Sequence, residues 1–168
     1  MDIVIRPESA QDAAVIHRVT AAAFEHAPHT SHTEQFIVDA LRDAGPLAVS
    51  LVAEHQGRVV GHVALSPVTI SDGTAQWLGL GPVSVLPELQ RQGIGTRLVQ
   101  RALELARRLG ASGCVVLGDP VCYGRFGFKA EPALTLPGAP PETFQALALR
   151  DAMPSGIVAY HESFSAQG

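Results

Sequence analysis

Residues 81–110, GPVSVLPELQRQGIGTRLVQRALELARRLG, run from a β-strand pattern through a loop with two glycines into a helical pattern. Apolar residues recur three or four positions apart over residues 93–109, which is typical of one face of an amphipathic helix: Ile94, Leu98, Ala102, Leu105 and Leu109. Gly110 marks the expected end of this helix. A strand joined to a helix in this way predicts a crossover, so the strands on either side of the helix should be parallel.

The sequence before this stretch predicts one strand, two helices and an antiparallel meander. Residues 2–5 favour a strand, and Ser9 with Asp12 forms a capping-box pattern for a helix that runs to about residue 25. Residues 34–43 favour a second helix. Three β-rich runs follow, and because short turns separate them they should pair in chain order: 49–54, 58–70 and 76–85.

The sequence after residue 110 predicts three strands and one short helix or turn. The strands are expected at residues 113–117, 144–149 and 157–161, the helix or turn at 120–126, and a loop in the proline-rich stretch 132–141. All elements together predict a single α/β (α+β) domain over residues 1–168. It should contain a mixed, mostly antiparallel seven-stranded sheet flanked by about four helices.

The composition excludes several classes of protein. At 168 residues the chain is long enough for one domain with a well-buried core, and its net charge of −4 favours cationic partners such as amines over nucleic acid. A mean hydropathy of +0.18 without a long apolar run predicts no membrane span. Two cysteines, Cys114 and Cys122, do not make a disulfide framework or a zinc site, and the N-terminus lacks a secretory signal pattern. We therefore expect a cytoplasmic protein.

The loop at residues 90–95, Gln-Arg-Gln-Gly-Ile-Gly, indicates an anion site. The first N–H groups of a helix have no partner within the helix, and the helix dipole is positive there. Gly93 and Gly95 allow a ligand to approach the backbone closely. A dinucleotide fingerprint is excluded because its third glycine position is Leu98. The two glycines alone are equally compatible with a helix start that binds nothing.

Two motifs resemble those of a known family. Gln90-x-x-Gly93-x-Gly95, placed after the strand at 81–85, resembles the acetyl-CoA signature of the GNAT superfamily of N-acetyltransferases. Residues 118–128, GDPVCYGRFGF, resemble a bacterial subgroup of that superfamily called YhbS-like. The resemblance extends over essentially the whole chain. It implies a GNAT-like fold with splayed central parallel strands, acetyl-CoA as co-substrate, and a primary amine on a small molecule or protein as acceptor.

The resemblance also implies roles for individual residues. The loop would bind the pyrophosphate of the cofactor through Gln90, Arg91, Gln92, Gly93, Ile94, Gly95 and Thr96. Val83, Ser84 and Val85 would pair through their backbone with the pantetheine arm, and the Val83 N–H would donate to the thioester oxygen. Tyr123 would be the general acid for the departing thiolate. The alternative for Tyr123 is a packing role beside Phe126 and Phe128.

The general base is left open among several residues. Glu25, His26, His29 and His32 lie in or beside the loop between the first two helices, and His62 lies in the meander. Family members often remove the proton through water instead. The His26-x-x-His29-x-x-His32 spacing is compatible with a metal site, but a loop that contains a proline does not fix three ligands, so we expect a solvated loop and no metal. Cys122 as a covalent nucleophile would need an activating residue that the sequence does not place.

Three functions are compatible with these patterns. The first is an acetyl-CoA-dependent N-acetyltransferase. The second is a catalytically idle module that binds CoA or has a regulatory role. A third, a nucleotide-binding structural domain, is disfavoured because no ribose-binding acid follows the loop. The resemblance further implies that a homodimer can form through sheet edges or C-terminal strands, whereas the acceptor has no recognisable code in the sequence.

Overall fold

The computed structural model describes residues 1–28, 30–150 and 152–168. Four α-helices occur in this part of the chain: α1 Ala13–Phe24, α2 Glu34–Ala44, α3 Ile94–Arg108 and α4 Pro120–Gly124. The ten strands are β1 Ile3–Pro7, β2 Val49–His55, β3 Arg58–Pro67, β4 Thr69–Ile70, β5 Trp77–Val85, β6 Gly113–Leu117, β7 Lys129–Ala130, β8 Leu134–Thr135, β9 Phe144–Ala148 and β10 Gly156–Ala159. No helix in the described part is long and apolar enough to cross a membrane.

A seven-stranded sheet in the order β1-β2-β3-β5-β6-β9-β7 forms the centre of the molecule. The strands β2, β3 and β5 pair antiparallel in chain order, which confirms the predicted meander. The strands β5 and β6 are parallel, so α3 is the expected crossover helix. The seventh strand, β7, was not predicted, because a strand of two residues has no detectable periodicity.

The two parallel strands pair along only part of their length. Trp77 to Leu80 of β5 face Gly113 to Val116 of β6, and the pairing ends there although β5 continues to Val85. One edge of β5 therefore lacks a strand partner over its last residues. This is the predicted splay between the central strands, and it opens the sheet toward the N-terminal end of α3.

The helices cover both faces of the sheet. A Cβ atom at Gly61 of β3 would lie 3.1 Å from Leu98 of α3. The next residue, His62, points to the opposite face, where its Nε2 lies 2.8 Å from the Ser50 hydroxyl and 3.8 Å from a carboxylate oxygen of Glu8. Glu8 in turn accepts hydrogen bonds from the guanidinium of Arg42 in α2. Hence α3 packs on one face and α2 on the other.

A second, three-stranded sheet in the order β4-β10-β8 lies beside the main sheet. The prediction of one strand over residues 58–70 was wrong at its end, since β3 ends at Pro67 and Thr69–Ile70 forms β4, which pairs with β10. The proline-rich stretch predicted as a loop contains β8, which pairs parallel with β10. The strand predicted at residues 157–161 corresponds to β10 and belongs to this second sheet.

Candidate active site

The glycine loop leaves several backbone N–H groups without a partner in the helix. Gly93 is the N-cap of α3 with φ +86°, and the first hydrogen bond of the helix runs from Arg97 N–H to Gly93 O at 3.1 Å. The N–H groups of Ile94, Gly95 and Thr96 therefore have no acceptor inside the helix. No side chain caps this end, since the N-cap is a glycine. The start of α3 is thus a concentrated set of hydrogen-bond donors.

The loop is tied to the end of β5. The side-chain amide of Gln90 donates a hydrogen bond to the carbonyl oxygen of Val85 at 3.0 Å. Arg91 has a positive φ of 63°, a conformation that costs a non-glycine residue free energy and is kept only where the surroundings fix it. The path of the backbone from strand to helix is therefore set by side-chain and backbone contacts together.

The free edge of β5 directs alternate backbone groups away from β3. Leu86 N–H donates to Val60 O of β3 at 2.9 Å. Because successive residues of a strand direct their N–H groups to opposite edges, Ser84 also faces β3, whereas Val83 and Val85 face the free edge. The bond from Gln90 to Val85 O lies on that free edge and agrees with this alternation.

A cleft of about 340 Å³, which we call the glycine-loop cleft, lies between the free edge of β5, the start of α3 and α4. Its lining contains most of the residues predicted to bind the cofactor: Val83, Val85, Gln90, Arg91, Gly93, Ile94, Gly95 and Thr96. Ser84 is buried, and Gln92 is exposed; neither is part of the lining. Tyr123, the predicted general acid, lies 28 residues after the end of the loop and also lines the cleft.

Tyr123 is positioned by a short capped helix and two phenylalanines. Asp119 caps α4 by accepting the N–H of Val121 at 2.9 Å. The phenol ring packs edge-on against Phe128 at 6.1 Å between centroids and lies 6.4 Å from Phe126. Burial raises the pKa of Tyr123 to about 12. The phenol therefore remains protonated at neutral pH and is available as a donor.

Arg125 has a place in the cleft that the sequence did not reveal. Its guanidinium lies 3.4 Å from the Thr96 hydroxyl, donates to Cys122 O at 3.1 Å, and lies 5.6 Å above the Phe126 ring. A fixed positive charge therefore lies beside the open end of α3, where an anion would bind.

A second cleft of about 360 Å³ adjoins the first, and Val83 and Tyr123 line both. We call it the aromatic cleft, because its walls include Phe24, Tyr123, Tyr160 and Phe164. Two leucines also line it: Leu80, the last residue of β5 that pairs with β6, and Leu117, the last residue of β6. The two clefts thus meet at Val83 and Tyr123.

Comparison with known proteins assigns the chain to a family. The Acetyltransferase (GNAT) family matches residues 13–128. The chain belongs to this GNAT family. The predicted fold class, the acyl-CoA-dependent N-acyltransferase class and acetyl-CoA as co-substrate are confirmed at the level of the family.

Individual relatives agree with the assignment. The GNAT chain is 35% identical over 170 residues to the uncharacterized N-acetyltransferase YhbS of Escherichia coli K12, covering 97% of this chain and 99% of that protein. It is similar to a crystal structure of a GNAT family acetyltransferase from Brucella melitensis in complex with acetyl-CoA, with 49% identity, coverage of 97% and 98%, and a TM-score of 0.87. A structure of YhbS from Escherichia coli in complex with CoA gives 35% identity, coverage of 99% and 93%, and a TM-score of 0.89. The predicted likeness to YhbS is therefore confirmed.

The candidate bases of this GNAT chain are scattered. His62 is fully buried in the sheet, its pKa is lowered to about 4 by burial, and it lines neither cleft. Glu25 and His32 line a separate cleft that includes neither Val83 nor Tyr123. His26 is largely exposed and lines a further cleft, which Val83 also lines. His29 lies outside the described residues. Within residues 1–28, 30–150 and 152–168, no group of three His, Cys, Asp or Glu residues is arranged to hold a metal.

The sequence interpretation missed one acidic residue. Glu34, the first residue of α2, lines the aromatic cleft. The only signal for it in the sequence is Ser31-x-x-Glu34, a capping-box pattern that indicates a helix start.

Proposed function

We propose that this GNAT chain transfers an acetyl group from acetyl-CoA to a primary amine by direct attack of the amine on the thioester. The observation that carries the proposal is the junction of the glycine-loop cleft and the aromatic cleft at Val83 and Tyr123. A thioester at this junction would be reached by an amine from the second cleft. The complexes of relatives with acetyl-CoA and CoA, at 49% and 35% identity, support the identity of the donor.

The chemistry of the glycine-loop cleft fits two parts of acetyl-CoA, the pyrophosphate and the pantetheine arm. The unpaired N–H groups of Ile94, Gly95 and Thr96, with the positive charges of Arg91 and Arg125, suit a pyrophosphate. The outward backbone groups of Val83 and Val85 suit the amides of the pantetheine arm, which would extend the sheet at its free edge. Both parts would thus be bound mainly by the backbone.

Two donors of the chain act on the reacting thioester. Acetyl-CoA supplies the activated acyl group. The N–H of Val83 donates a hydrogen bond to the carbonyl oxygen, whose negative charge grows as the amine nitrogen bonds to the carbonyl carbon. The phenol of Tyr123 donates to the sulfur as the carbon–sulfur bond breaks. Its pKa of about 12 is above that of an ordinary thiol, about 8.5, so the phenol stabilises the thiolate by a hydrogen bond. When the phenol gives its proton to the sulfur, the proton that the amine nitrogen loses as the amide forms restores the phenol.

The test compares Tyr123→Phe with a control on the same short helix. Release of free thiol from acetyl-CoA is measured with a panel of primary amines, and binding of CoA is measured by calorimetry. We expect Tyr123→Phe to lower kcat at least tenfold while CoA binds with unchanged affinity. Val121→Ala, at a residue that is 82% exposed, should leave kcat unchanged. A wild-type kcat for Tyr123→Phe would remove the phenol from catalysis, and CoA binding without turnover of any amine would support the idle module.

A further inference from the structure

The aromatic cleft has an apolar wall and a single charged residue in its described lining. Tyr160 and Phe164 stack at 4.9 Å between ring centroids with a tilt of 33°, and Phe24 and Leu136 add further apolar surface. Glu34 is the charged residue. A ligand that fits this cleft must therefore bury an apolar body and present a group that a carboxylate binds.

The wall of the cleft is held in place by close packing. A Cβ atom at Gly79 of β5 would lie 2.4 Å from the Tyr160 ring, so the ring lies directly on the strand backbone. Only a glycine leaves room for the ring there. The position of the aromatic wall therefore depends on the absence of a side chain at Gly79 of β5.

The carboxylate of Glu34 is held on one side and unsatisfied on the other. Its Oε2 accepts the Thr30 hydroxyl at 2.6 Å and lies 3.4 Å from the Ser31 N–H. Its Oε1 is buried and has no hydrogen-bond partner among the described residues. A buried carboxylate oxygen without a donor is costly, and a donor from a ligand would remove that cost. Glu34 lines the aromatic cleft, and the terminal torsion of Glu is soft, so the carboxylate can adjust to a ligand there.

We infer that Glu34 binds the acceptor as it enters in its ammonium form, and that the acceptor is a primary amine on an apolar, preferably aromatic, body without a carboxylate. The ammonium group releases one proton to solvent water before its nitrogen attacks the thioester. This inference rests on the proposed function for the site. Charge attraction to Glu34 and the faces of the aromatic rings both favour a cation in this cleft. A carboxylate on the acceptor would lose its hydration beside Glu34 with no described cation in the lining to replace it.

The first experiment compares three amines with the wild-type protein. The enzyme at saturating acetyl-CoA is assayed by thiol release with 2-phenylethylamine, with phenylalanine, which adds a carboxylate, and with ethylamine, which lacks the ring. We expect kcat/KM to be at least tenfold higher for 2-phenylethylamine than for either of the others. Equal use of phenylalanine would overturn the inference.

The second experiment uses Glu34→Gln, which keeps the shape and removes the charge. Loss of a charge-assisted hydrogen bond corresponds to a rise of about tenfold or more in KM for 2-phenylethylamine, with a smaller change in kcat and an unchanged KM for acetyl-CoA. Thr30→Val is the control for a merely structural role, because it removes the bond that anchors Oε2 and leaves the charge. Glu142→Gln, at an exposed position that lines neither cleft, controls for net charge. If Thr30→Val raises the KM for the amine as much as Glu34→Gln does, or if Glu34→Gln changes nothing, the inference is wrong.

Failure of the inference can be told apart from failure of the proposed function. Calorimetry of 2-phenylethylamine with the CoA-loaded protein measures binding without turnover. Turnover of amines with no effect of Glu34→Gln overturns the role of Glu34 alone. Glu34-dependent binding without turnover of any amine supports the cleft assignment and overturns the proposed acetyl transfer.

Discussion

Gly118, which follows β6, provides a way to move the Tyr123 ring without changing Tyr123 itself. A Cβ atom at Gly118 would lie 2.5 Å from Cε2 and 3.1 Å from Cδ2 of the phenol ring. The preferred separation of two non-bonded carbons is about 3.5–4.0 Å, so Gly118→Ala requires the ring to shift by about 1 Å. The backbone of Gly118 has no positive φ, and the change therefore acts through the ring.

The expected effect is a loss of turnover with retained binding of CoA. A misplacement of about 1 Å in an active site can lower the rate about 100-fold, and we expect kcat of Gly118→Ala to fall between about 10-fold and 100-fold. The affinity for CoA should change less than threefold, because the phosphate loop is not touched. Overpacking of this kind costs about 1–3 kcal/mol, so a drop of several degrees in Tm should accompany it.

The matched control is Gly124→Ala at the end of α4. A Cβ atom there meets nothing within 4 Å, and the residue has no positive φ. Steady-state thiol release with the best amine of the panel gives kcat, calorimetry gives the CoA affinity, and thermal unfolding shows that both variants fold. If Gly118→Ala keeps the wild-type kcat while its Tm falls, then the ring has moved without consequence and Tyr123 serves packing alone.

Two further predictions concern the phosphate loop and the sheet. Gly93→Glu should raise the Kd of CoA, measured by calorimetry, at least tenfold, because it puts a negative charge among the N–H donors. The control is Gly138→Glu, at a glycine with a similar positive φ and open space around it. It should have the same backbone cost of about 1–2 kcal/mol and an unchanged affinity for CoA. Burial lowers the pKa of His62 from its ordinary 6.5 to about 4. Between these pH values the His62 side chain is therefore protonated in the unfolded chain and neutral in the folded protein. Denaturant unfolding should show stability falling by up to about 1.4 kcal/mol per pH unit from pH 6.5 to 4, and His62→Gln should remove that part of the slope; an unchanged slope would contradict the assignment.

The parts of the fold that were predictable are those with local periodicity. The face of α3 and the turns of the meander are contained in segments of 10 to 40 residues, so the sequence alone indicates them. The second sheet was not predicted because β4 and β8 have two residues each and join β10 across long stretches of chain. These short strands form because they pair with distant parts of the chain, so no local periodicity in the sequence indicates them.

The same division holds for the candidate site. The glycine loop was predictable because its donors lie in one contiguous segment. Glu34 was not, because its local pattern indicates a helix cap, and Tyr160 and Phe164, which share its cleft, are more than 120 residues away in the chain. His62 shows the converse, since it follows Val59, Val60 and Gly61 in a strand and its burial could have been expected from that apolar run.

The divergence of β5 and β6 explains why the proposed donor and acceptor clefts are adjacent. After Leu80 the edge of β5 has no strand partner among the described residues, which leaves the backbone of Val83 and Val85 available for the proposed pairing with the pantetheine arm. The same gap exposes Leu80 and Leu117 to the aromatic cleft. A change that restored pairing between the strands would therefore abolish both clefts at once, whereas Gly93→Glu and Glu34→Gln should each impair one. The double variant Gly93→Glu/Glu34→Gln tests this separation. If the free-energy effects of the two single variants on kcat/KM add up in the double variant, the clefts act as separate binding sites that share only the reacting junction.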